Sequence, residues 1–108
     1  MTKEELIEYF KAYQNSEVDC PWENDDFSTV ARHASNRKWY AVILDHGGKT
    51  VVNLKCDKLQ SEFLRSKYKG IYPAYHMNKT HWNSVVLQSD IEDELIRSLV
   101  DLSYEITL

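Results

Sequence analysis

Residues 38–56 read "KWYAVILDHGGKTVVNLKC", and the parsing of this stretch decides the fold. "KWYAVILD" is apolar and rich in aromatic and β-branched residues, the composition of a strand. "HGG" supplies the glycines of a tight turn, and "KTVVNLKC" is a second strand, so the pair reads as a β-hairpin. Within "TVVNLK", Val52 and Leu54 fall on one face, with Val51, Asn53 and Lys55 on the other. That alternation predicts a sheet covered by helices on one side and wet on the other.

Working toward the N-terminus, residues 27–34 alternate loosely and read as a further strand. The run "NSEVDCPWENDD" (15–26) has no period and carries Pro21, so it reads as a connecting loop. Thr2 and Glu5 have the S/T-x-x-E form of a capping box, and Leu6, Phe10 and Tyr13 recur at helical spacing; a helix is predicted over 3–14. Toward the C-terminus, Asp57 caps a second helix through about Tyr68, with Leu59, Phe63 and Leu64 as its apolar stripe and Gly70 at its C-terminal end. "IYPAYH" (71–76) holds a short strand that Pro73 limits to an edge or a strand start, and "NSVVLQ" (83–88) is another strand. Ser89 and Glu92 stand in capping-box positions ahead of a last helix with a stripe of Ile91, Leu95, Leu99, Leu102 and Ile106. Neighbouring strands joined by short turns imply an α+β domain: a two-layer, mainly antiparallel sheet with helices on one face, in the order helix, three strands, helix, one or two strands, helix.

The chain has 108 residues, of which 43% are hydrophobic. That suits one domain, 1–108, around one core. No stretch approaches the roughly 18 apolar residues of a membrane span, and the acidic, amphipathic N-terminus lacks the layout of a secretory signal. The expected compartment is the cytoplasm, where Cys20 and Cys56 would stay reduced. The formal net charge is −4, which taken alone argues against a nucleic-acid partner. The distribution differs from the total. Residues 1–31 carry two basic side chains against eight acidic ones, residues 32–79 ten against three, and residues 80–108 one against six. Two readings of this basic middle stand side by side: compensation by the acidic ends, or a basic face that attracts phosphates.

The stretches "FSTVARHASNRKWYAVI", "GGKTVVNLKCD", "GIYPAYHMNKTHWNSVVL" and "DLSYEI" occur in the order and spacing of the MmcQ/YjbR family, a group of small bacterial proteins. The chain resembles that family from about Pro21 to its C-terminus, most distinctively over Pro73 to Trp82. The resemblance implies the α-β3-α-β2-α outline, similar to type III secretion chaperones and frataxin-like domains. It also implies DNA binding in which hairpins act as a double wing, with no established catalytic residues.

The residues themselves offer three chemistries. His76 and His81, with Cys56 or Asp57 as a third ligand, match none of the common zinc spacings. Nothing marks a nucleophile elbow, a phosphate loop or a paired-acid motif. No catalytic, metal or cofactor site is therefore expected. Nucleic-acid binding has better material. Arg32, Arg37 and Lys38 surround a turn, Lys49 sits at the next hairpin, and Lys55, Asn78 and Lys79 follow, with Asn53, Trp39 and Trp82 able to touch bases if they face outward. The expected partner is duplex DNA, and replacing Arg37, Lys38 and Lys49 should flatten the salt dependence of binding. The alternative is a protein partner, or a weak homodimer, held on the open face of the sheet.

Overall fold

Thr2 starts the first helix as predicted. Its hydroxyl accepts from the Glu5 N–H at 3.1 Å while its own N–H donates to Glu5 Oε1 at 2.9 Å, so two of the orphan donors at the helix start are satisfied reciprocally. The computed structural model describes residues 1–74 and 77–108. The helix, α1 (Lys3–Lys11), ends one turn earlier than its apolar pattern suggested. Then come β1 (Ser16–Asp19), β2 (Thr29–His33), β3 (Trp39–His46), β4 (Lys49–Lys55), α2 (Lys58–Lys67), β5 (Ile71–Pro73), β6 (Trp82–Val86) and α3 (Asp93–Ile106). The strands form one antiparallel sheet in the order β1-β2-β3-β4-β6-β5.

The order is thus α-β4-α-β2-α. The expected loop at 15–26 contributes an edge strand, β1, which pairs Val18 with Ala31 and Glu17 with Arg32. Its four residues, "SEVD", hold a single apolar side chain and so carry no alternation to read, as befits a charged edge. Pro73 lies on the opposite edge strand, where a missing N–H costs no ladder bond. The β3–β4 hairpin closes through Gly47 and Gly48, with φ of 62° and 79°. These are the left-handed values that a two-residue turn between twisted strands requires.

All three helices lie on one face. Leu6 and Phe10 of α1 and Ile96, Leu99 and Val100 of α3 pack with Ala31, Ile43, Val52, Leu54 and Val85 of the sheet. From α2 only part of the expected stripe reaches this core: Leu64 is buried, whereas Leu59 and Phe63 are 77% and 59% exposed. The helix turns Ser61 inward instead, where it accepts from Asn83 Nδ2. Ser89 is not the cap of α3, since its hydroxyl donates to the Val86 carbonyl at 2.9 Å and Glu92 holds the cap position without a side-chain bond. Gly70 has no positive φ and caps nothing. A Cβ there would run into Ser89 Oγ and lie 2.9 Å from Asp90 Oδ1, and the Asp90 carboxylate accepts from the Lys69 and Gly70 N–H groups.

One irregularity redirects a key side chain. Ala31 pairs with Ala41 and Arg32 with Trp39, leaving Tyr40 as the extra residue of a bulge. Tyr40 and Ala41 both enter the helix-side core, so Trp39 emerges on the opposite face with Val42 and Leu44. That second face is drier than expected. Val30, Val42, Val51, Asn53 and Ser84 are all buried. Over part of it the segment at 20–28 returns across the sheet and sets Trp22 edge-to-face with Trp39, ring centroids 5.9 Å apart. No helix is long and apolar enough to cross a membrane among the described residues.

Candidate functional site

Strand direction decides which of the predicted basic residues can act together. β3 joins the 34–38 turn at its start to the Gly47–Gly48 turn at its end, so two consecutive hairpins sharing it must point opposite ways. Eight residues of strand separate the turns by roughly 25 Å at about 3.3 Å per residue. Lys49 therefore stands at the other end of the sheet from Arg37 and Lys38. Lys55, at the close of β4, returns to the Arg37–Lys38 end and pairs with Trp82, where the 74–81 connection also arrives.

At that end the cations differ in what holds them. Arg37, itself in the left-handed region with φ 65°, donates to Glu17. Lys38, Lys55 and Lys58 have no ion pair among the described residues. Lys79 donates to the Ala74 carbonyl at 3.1 Å. Arg65 donates to Asn83 Oδ1 at 2.6 Å, to the Trp82 carbonyl at 3.3 Å and to the Lys79 carbonyl. Those acceptors are neutral, so the charges of Lys79 and Arg65 are positioned without being cancelled. Asn78 is exposed, with its side-chain oxygen accepting from the Thr80 N–H.

Two predicted residues are withdrawn from the surface. Arg32 is 7% exposed and donates to both carboxylate oxygens of Asp19, at 3.0 and 2.9 Å; this pairing holds the Asp19 carboxyl below its usual range. Asn53 is 1% exposed, accepts from the Ser84 hydroxyl at 2.5 Å and donates to Met77 Sδ at 3.4 Å. The reactive residue types are likewise built into the packing. The Cys56 thiol is buried, and burial pushes its pKa up. His33 packs against Tyr40 and Tyr104. Its Nε2 lies 2.8 Å from Thr107 Oγ1, whose hydroxyl is already spent on the Ser103 carbonyl, so the ring nitrogen is the donor. Burial lowers the pKa of His33, against an opposing hydrogen bond to the Tyr104 backbone. No group of three or more metal-ligating side chains occurs among the described residues. His76, half of the histidine pair considered for zinc, lies outside the described residues.

Sequence reasoning missed one concavity of the described residues. A cleft of about 690 Å³ runs along β3 on the face away from the helices, with Val42 and Leu44 as its floor. Trp22, Trp39 and Met77 line its walls. Glu23, Asp25 and Asp45 line it as well. Asp25 accepts from the Phe27 and Ser28 N–H groups at 3.0 and 2.9 Å, and hydrogen bonding from Ser28 lowers its pKa, so it stays ionised. The signal for Trp22 was thin: a tryptophan after Pro21 in an aperiodic acidic run. Trp39 was considered as an outward-facing residue, and it is 37% exposed.

Residues 11–106 match the model of the YjbR family. The chain belongs to the YjbR family. It is 33% identical to the uncharacterized protein YyaQ of Bacillus subtilis, over 99% of this chain and 98% of that one. It is 30% identical to the uncharacterized protein YjbR of Escherichia coli K12, over 97% of this chain and 86% of that one. The crystal structure of a Pseudomonas syringae protein superposes with a TM-score of 0.90 at 35% identity, covering both chains fully. A Deinococcus radiodurans protein gives 0.85 at 27% identity, over 97% of this chain and 77% of that one. The family fold, an antiparallel α+β sandwich of sheet and helices, is thus the fold of this member.

Proposed function

We propose that this YjbR-family protein is a non-enzymatic, cytoplasmic binding module that contacts duplex DNA phosphates through one end of its sheet. The observation that carries the reading is the gathering of Lys38, Lys55, Lys58, Arg65 and Lys79 at that end, none of them neutralised by a carboxylate among the described residues. Cations spaced along the ends of neighbouring strands can follow a phosphate backbone, and each phosphate they neutralise releases counterions. Arg37 adds to this end only in part, because Glu17 holds it. Lys49 stands on the wrong end to join. The non-enzymatic reading draws support from Cys56 and His33, which are 3% and 1% exposed and so cannot reach a substrate without local opening.

The test is titration of fluorescently labelled duplex DNA across a salt series. Log affinity should fall linearly with log salt. Replacing Lys38, Lys55 and Lys58 together by Gln should lower the slope by about 2 to 3, at roughly 0.9 per phosphate contact. The Lys49→Gln variant should match the parent protein. Absence of binding at low salt would end the DNA reading. A second reading, a protein partner on the open face, is favoured by a separate observation, the tryptophan-lined cleft.

A further inference from the structure

From the cleft we infer that the open face of the sheet holds a short extended segment of a partner protein through an arginine or lysine side chain. The three features that would recognise such a segment occur together. Trp22 and Trp39 are 41% and 37% exposed in an edge-to-face pair, which leaves indole surface of both open to the groove. A cation over an indole face is attracted by the ring quadrupole, tryptophan being the strongest aromatic partner. Glu23 and Asp25 line the same space and bring two carboxylates to it. Arg32, the cation on this face of β2, is neutralised by Asp19 and Glu17, so the local field stays negative. Val42 and Leu44 supply an apolar floor for the aliphatic stem of the cation or for flanking apolar residues.

Size and shape favour a chain segment over a lone small cation. A volume of about 690 Å³ is several times that of one side chain. The groove follows β3 from Trp39 to Asp45, roughly 20 Å at about 3.3 Å per residue, the span of about six extended residues. The approach is to a sheet face, where backbone donors and acceptors are spent within the ladder. Recognition must therefore come from side chains, in this case aromatic rings and carboxylates. The site shares none of the basic residues proposed for DNA, so each reading stands or falls alone.

The test uses the full chain, uniformly 15N-labelled, and follows the indole Nε1–H signals of its three tryptophans. The probe is an acetylated, amidated hexapeptide alternating Leu with Arg. It should move the Trp22 and Trp39 signals saturably and leave Trp82, which does not line the cleft, in place. The same peptide with Glu for Arg should move neither. Trp22→Ala should weaken binding about three- to tenfold, and so should Glu23→Gln. Glu23 is exposed, so its substitution carries the test if Trp22→Ala disturbs the fold. Three results would overturn the inference: no shift at millimolar peptide, equal shifts from the Glu peptide, or an affinity indifferent to both substitutions. Equal binding of acetyl-arginine amide would overturn the segment in favour of a small organic cation.

Discussion

Three glycines show how one residue type serves two unrelated needs. Gly47 and Gly48 sit at positive φ with no atom within 4 Å of where a Cβ would be, so their requirement is conformational alone. Alanine at either should cost about 1 kcal/mol, and asparagine less, because its side chain tolerates the left-handed region. Gly70 has ordinary dihedrals and no room. Gly70→Ala should cost about 1–3 kcal/mol through overpacking against Ser89, Asp90 and Ile91, with no relief from asparagine. Urea midpoints of the variants separate the two mechanisms. His33 gives a pH dependence. Its folded pKa lies below the ordinary 6.5, so the unfolded chain binds the proton more readily. This group's contribution to stability is complete above about pH 6.5 and is lost as pH falls from there through the lowered folded value. The thermal midpoint should drop on acidification between about pH 7 and 5, and His33→Phe should flatten that drop.

At the scale of elements, periodicity found the helices and strands that bury a stripe, and failed where burial follows something else. The central hairpin, β2, β6, α1 and α3 were legible because their apolar residues repeat at two or near four. β1 was not, since a charged edge strand is specified by its pairing with β2 and by the Arg32–Asp19 contact, neither of which leaves a local period. On α2 the stripe was real in sequence, yet the helix packs near the sheet edge by β5 and turns Ser61 and Leu64 inward. Leu64→Ala should therefore cost about 2–5 kcal/mol. Leu59→Lys and Phe63→Lys should stay within about 0.5 kcal/mol, as substitutions of exposed side chains do. Equilibrium unfolding of the three variants checks the assignment; a large loss at Phe63 would mean that α2 buries its apolar pair.

Across the whole molecule, charge that is already uneven along the sequence is sorted again by the fold. The end of the sheet bearing the 34–38 turn gathers five cations that no carboxylate neutralises among the described residues, while the cleft along β3 is lined by Glu23 and Asp25. The net charge of −4 reports neither surface. Lys55→Gln should weaken duplex binding where Lys49→Gln does not, although the two residues bracket the same strand.

The sequence by itself determined the fold class, the central hairpin, the family and the list of basic residues, because each of these is written in local periodicity, turn chemistry or motif order. Which side chains share a surface was decided only in three dimensions. The bulge at Tyr40 reverses the alternation of β3 and moves Trp39 from the core face to the cleft, and the 20–28 segment brings Trp22 to meet it. The antiparallel run of β3 and β4 parts Lys38 from Lys49 and reunites it with Lys55. Such placements depend on strand direction and on contacts between distant segments, and these have no signature in any short window of the chain.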